Sequence, residues 1–158
     1  MTQGFEALND QEFGILKDAI AWITLIIANA DGKIDERETE WAQKLTKIRS
    51  YNNPSFLNAF YEEVGKEFSD TLDGLMKNLP EDKNEATAML SGKLEQVNAI
   101  LPCLDNTVAY ELYHSYKSFA KHVAKASGGF LGMMSISTEE SLLMELPMIE
   151  PISIDEEE

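Results

Sequence analysis

A group of oxygen-bearing residues near the start of the chain sits at calcium-loop spacing around a glycine. Gly32 takes the place of the loop's glycine and Ile34 that of the apolar residue two positions on. Asn29, Asp31, Asp35 and Glu38 then fall on ligand positions three, five, nine and twelve, with the Lys33 carbonyl on position seven. Hard oxygen donors in that order would hold a divalent cation. Position one, however, is Ile27 where a carboxylate normally supplies the first ligand. The same residues also read as helix punctuation: Asp31-Gly32 as a turn, Ile34 as a hydrophobic plug, and Asp35 with Glu38 as a capping box. That reading accounts for every residue without a metal and is the simpler one for the loop alone. A divalent-cation site with Asp31, Asp35 and Glu38 as its ligands is the alternative.

Other residues could also do chemistry. Glu111 and His114 form one Glu-x-x-His pair, the unit from which carboxylate-bridged di-iron bundles are built, but such bundles need two. The other histidine, His122, has Phe119 three residues before it, so the second pair is missing. A metalloenzyme using Glu111, His114 and glutamates of neighbouring helices is therefore a third-ranked reading. Cys103, between Pro102 and Leu104, reads as an inert buried thiol. With no Cys-x-x-Cys, no glycine-rich nucleotide loop and no nucleophile–base pairing, the expectation is a protein that is not an enzyme. Lys121 and Lys125, one turn apart, read as a solvated edge. Met133, Met134, Met144 and Met148 form either a lid on the core or, with the apolar loop at residues 130–134, a docking surface for a partner.

The elements that must position these residues are helical. Asn9 with Glu12 is a capping box, and Phe13, Leu16, Ile20, Ile23 and Ile27 follow at helical spacing. Trp22, Leu25 and Ile26 extend the apolar surface around this helix, which makes it the central one. The next helix opens at Asp35 and turns Trp41, Leu45 and Ile48 inward. Asn53-Pro54 opens a third, lined by Leu57, Phe60, Tyr61 and Val64, and residues 69–79 read as a separate short helix weakened by Gly74. Asp82 and Glu85 open a helix that runs to Leu101, where Pro102 breaks it. The last long helix starts near Asp105 and buries Val108, Leu112, Tyr116, Phe119, Ala120 and Val123. Ser137 and Glu140 cap a terminal helix held down by Leu142, Leu143 and Leu146. The expected fold is all-α: a single-domain bundle of about seven helices over residues 9–150, an N-terminal arm at 1–8, and an acidic, disordered tail at 151–158.

Composition bounds the partners. The 158 residues carry 28 acidic and 13 basic side chains, a net charge of −15. Such a surface repels nucleic acid and anionic lipid and favours cations or basic protein patches. The apolar run from Ala19 to Ala28 is too short to cross a bilayer, which takes about 20 residues. One cysteine, no internal disulfide and no secretion signal make a cytoplasmic protein the simplest expectation.

The first turn recurs. Ala30-Asp31-Gly32-Lys33-Ile34-Asp35 with Glu38 is answered by Val123-Ala124-Lys125-Ala126-Ser127-Gly128-Gly129-Phe130-Leu131-Gly132, followed by Ile136-Ser137 and Glu140. Two such copies suggest one domain made of two pseudosymmetric halves. Together the motifs resemble the TerB-like tellurite-resistance family, over most of the chain from about Phe13 to Leu146. The resemblance implies a helical, cytoplasmic bacterial stress-response protein whose acidic face binds a divalent metal or a protein partner. Carried over by position, the metal residues are Asp31, Asp35 and Glu38, with Glu140 in the second copy. Ser127 and Ser137 replace the second pair of aspartates, so a symmetric two-metal site is not expected.

Overall fold

The computed structural model describes residues 4–31, 36–49, 55–128 and 143–152, and all regular structure among them is helical. Helix α1 (Asp10–Ala28) starts as its capping box dictates. Asn9 Oδ1 accepts from the Glu12 N–H at 2.8 Å, and the Glu12 carboxylate accepts from the Asn9 N–H at 3.0 Å. From position 19 to position 30 every side chain is buried. α1 is the axis of the molecule and packs against α2 (Glu36–Arg49), α3 (Ser55–Asn78), α4 (Lys83–Glu95), the one-turn α5 (Val97–Ile100) and α6 (Asn106–Gly128). The one hydroxyl in this apolar stretch, Thr24, is satisfied within the helix by donating to the Ile20 carbonyl at 2.9 Å.

Two expected helices prove to be one. α3 runs unbroken for 24 residues because Leu57, Phe60, Tyr61, Val64, Phe68 and Leu72 continue a single buried stripe. Gly74 is tolerated because it faces open space, with nothing within 4 Å of where a side chain would start. The described residues thus hold five helices of thirteen residues or more, together with α5. The expected terminal helix from Ser137 falls largely outside the described residues, as does the second copy of the turn.

Three side chains face otherwise than their sequence suggests. α2 buries Ala42, Leu45, Thr46 and Arg49, and Trp41 is 36% exposed. The stripe at i, i+3, i+4 and i+7 starts one residue later than the apolar residues imply, because a buried arginine belongs to it. The helix opened by Asp82, whose Oδ2 accepts from the Glu85 N–H at 2.9 Å, is expected to reach Leu101 but ends at Glu95; after Gln96 the chain continues as α5 and then a 3-10 turn at Leu101–Cys103. Pro102 has no N–H to continue the α-helical pattern. With three residues per turn, Leu101 and Leu104 face the core and Cys103 points out, so the thiol is exposed rather than buried.

The ends of the chain join the core. Phe5 and Leu8 of the N-terminal arm are buried, and Phe5 meets the Phe13 and Phe60 rings at 5.3 Å each. At the other end Asn98 clamps the closing segment twice, donating to the Met148 carbonyl at 2.9 Å and accepting from the Glu150 N–H at 2.8 Å. Leu146 and Ile149 are buried there, and Met144, Met148 and Ile152 pack against the core. Ile152 lies within the stretch expected to be an unstructured tail; residues 153–158 are outside the described ones. No described helix is long and apolar enough to cross a membrane.

Candidate functional site

The acidic turn leaves the core from a fixed point. Beyond Ala28 the chain makes a 3-10 turn, Asn29–Asp31, in which Asn29 is 6% exposed. Its amide donates to the Lys83 carbonyl at 3.2 Å and to Thr87 Oγ1 at 3.3 Å, both on α4. Asn29 therefore anchors the end of α1 to α4 through its amide nitrogen. Asp31 closes the 3-10 turn and Glu38 lies in the first turn of α2. Their side chains, like the whole of Asp35 and Glu140, fall outside the described residues, as does the apolar loop at 130–134. Among the described residues no three His, Cys, Asp or Glu side chains gather where a metal could be held. His114 of the Glu-x-x-His pair is exposed and packs on rings of its own helix, Tyr110 at 4.3 Å and Tyr113 at 5.2 Å.

The most developed polar constellation is elsewhere, where α2, α3 and α6 meet. Arg49, in the last turn of α2, is 8% exposed and directs its guanidinium across to α6. One terminal nitrogen donates to the Ser115 carbonyl (3.3 Å) and Ser115 Oγ (3.0 Å); the other donates to Ser118 Oγ (2.8 Å) and meets His122 Nδ1 (3.1 Å). The Tyr61 and Phe119 rings approach the guanidinium at 5.6 and 5.5 Å, and Tyr61 Oη shares a 2.6 Å hydrogen bond with Ser115 Oγ. These partners are neutral dipoles and ring faces, so they solvate the charge locally in place of water. Burial pushes the Tyr61 phenol above its ordinary range, so it stays protonated. A cation at the end of α2 also answers the helix's negative terminus.

Sequence reasoning missed this cluster. The available signal was the row Ser115, Ser118 and His122, a polar stripe at i, i+3 and i+7 bordering the apolar face of α6. Its partner, 66 to 73 positions away in the chain, has no local signature.

His122 makes the cluster sensitive to pH. Burial and then the Arg49 charge hold its imidazole below the ordinary value of 6.5, against the opposing pull of the Ser118 carbonyl; Lys125 and Lys121 lower it further. The folded state prefers neutral His122, because a protonated ring would set two cations side by side. The unfolded chain thus binds the proton more readily. His122 contributes its stability above about pH 6.5, and that contribution is lost as the pH falls through 6.5 toward the lower folded value. His122→Gln should flatten the decline in urea midpoint between about pH 7.5 and 5.5 relative to the wild type. Identical slopes for the two proteins would remove His122 as the sensor. The carboxyl of Asp18, raised mainly by burial and next by Glu67, acts in the opposite direction at lower pH, which is why the variant comparison is required.

A cleft of about 350 Å³ lies between α2 and α3, lined by Gln43, Thr46, Lys47, Tyr61, Glu62, Gly65 and Lys66. It shares Tyr61 with the arginine cluster, and its other walls mix both charges with amide and hydroxyl groups. Comparison with family models, curated proteins and solved structures finds no match to this chain.

Proposed function

We propose that this is a non-enzymatic, TerB-like stress-response protein of the bacterial cytoplasm that binds a divalent cation or a protein partner through its acidic surface. In this reading the two related halves each contribute one acidic turn, with Asp31, Asp35 and Glu38 as the principal ligands and Glu140 added from the second half. The observation that carries it is the run of acidic residues around Gly32, at positions 31–38 of the sequence, in a chain of net charge −15. A negative field of that size concentrates cations and basic surfaces at the protein. Asn29 supports the reading from below: by tying the end of α1 to α4 it gives the turn a rigid departure point, which lowers the entropy that a ligand must offset.

Thermal unfolding in the presence of calcium, magnesium, manganese or zinc tests the cation. A ligand of the folded state at about 100 times its Kd stabilises by about 2.7 kcal/mol, and for a domain of this length each kcal/mol raises Tm by about 2–4 °C. At least one of these ions at millimolar concentration should raise Tm by several degrees, and Asp31→Asn should abolish the rise. Flat melting curves with all four ions would leave the protein partner as the sole ligand of the acidic surface.

A further inference from the structure

One stripe of α6 reverses the charge of the molecule. His114, Lys117, Ser118 and Lys121 stand at i, i+3, i+4 and i+7 and share one helical face. With Met144 and Glu145 of the closing segment they line a cleft of about 310 Å³. That is at the lower end of the roughly 300–1,000 Å³ typical of small-molecule sites. The sequence alone pairs Lys121 with Lys125 as a solvated edge; the cleft instead groups it with Lys117.

The α6 wall is rich in hydrogen-bond donors that the protein does not use up. Lys121 makes no ion pair or hydrogen bond among the described residues. Ser118 Oγ accepts from Arg49 at 2.8 Å, which engages an oxygen lone pair and leaves the hydroxyl proton available for donation. The buried guanidinium behind it polarises that hydroxyl in the same sense. The ring of His114 is held by Tyr110 and Tyr113 and makes no hydrogen bond among the described residues. Lys117 is engaged by Glu145 Oε1 at 3.2 Å and lies 5.5 Å from the Tyr113 ring, and the Glu145 carboxylate is 63% exposed. An exposed ion pair of this kind is worth at most about 1 kcal/mol, so Glu145 yields easily to a better anion.

The geometry points to a binding site for a small phosphate monoester. Lys117 and Lys121 supply charge, Ser118 and His114 supply directed donors, and Met144 covers the organic remainder. Glu145 shows that an anionic oxygen is accepted at Lys117. A dianion with three terminal oxygens satisfies two ammonium groups and two further donors better than a planar monoanion does. A cleft of about 310 Å³ closed on one side by Met144 and Glu145 suits a small molecule, so the phosphate arrives on a small diffusible compound. This site does not depend on the acidic turn.

Calorimetric titration of the full chain with glycerol 3-phosphate, against inorganic phosphate, glycerol and acetate, tests the assignment. The expected Kd for glycerol 3-phosphate is about 0.1–1 mM. Lys121→Gln should weaken binding about tenfold, and Glu145→Gln, which removes the competing carboxylate, should tighten it about threefold or more. Asp31→Asn should leave it unchanged. Both cleft positions are on the surface, so wild-type melting temperatures for these variants confirm that binding alone has changed. Absence of heat with wild type and Glu145→Gln at about 20 mM ligand would overturn the site. So would unaltered affinity in Lys121→Gln. Affinity for acetate equal to that for glycerol 3-phosphate would overturn the choice of a phosphate, and equal affinity for inorganic phosphate would overturn the monoester.

Discussion

Arg49→Ala should lower the unfolding free energy by about 2–4 kcal/mol, with a urea m-value like that of the wild type. Two losses combine. The guanidinium donates to Ser115 and Ser118 in a buried setting, and hydrogen bonds from a charged group are worth about 1.5–3 kcal/mol. Its stem also fills space between α2 and α6 near the Tyr61 and Phe119 rings, and truncation leaves a void that the helices only partly close. Arg49→Met separates the two. It restores most of the volume without the charge, so what remains is the loss of the hydrogen bonds to Ser115 and Ser118. The methionine variant should therefore lose about half as much as the alanine variant. Equal losses would assign the whole effect to the hydrogen bonds, and a loss below about 0.5 kcal/mol for both would show that the cluster does not hold α2 to α6.

The second large effect is at the N-terminal arm. Phe5→Ala should cost about 3–5 kcal/mol, the range for truncating a fully buried aromatic residue. Phe5 is 0% exposed and stacks on Phe60 at 5.3 Å while meeting Phe13 at the same distance. Gly4 delivers it there. The glycine backbone has φ +90°, a conformation that other residues avoid, and an added Cβ would stand 3.3 Å from Phe56 Cβ. Removing residues 1–8 should destabilise at least as much as Phe5→Ala, and Tm should fall by roughly 10 °C in either case. A loss under about 1 kcal/mol would mean that the arm leaves the core readily in solution.

These two positions also mark the limits of what could be read from the chain. α1 was legible because its signals are local: a capping box at Asn9 and Glu12, an apolar period, and apolar residues around most of its girth beyond Asp18. The course of α6 from Leu112 to Val123 was legible for the same reason. α3 was divided in sequence because Gly74 counts against a helix when only propensity is known; its open surroundings cancel that objection. Phe5 looked like part of a short arm because one aromatic residue outside a periodic segment carries no signal of where it docks. The oxygen-bearing residues around Gly32 were visible as a pattern, yet the amide nitrogen of one of them, Asn29, is engaged on α4 by contacts 54 and 58 positions away.

By itself the sequence determined that the protein is helical, that its first helix is the buried axis, and that its surface charge is strongly negative. Each follows from interactions within a few residues or from composition, neither of which depends on the path of the chain. Tertiary structure decided which side chains were turned inward and which polar groups met: Arg49 inside and Trp41 outside, Cys103 exposed, Asn29 on α4, Lys121 beside Lys117 in a cleft. Those outcomes follow from packing between helices, where a buried donor must find its acceptor wherever the chain happens to bring one.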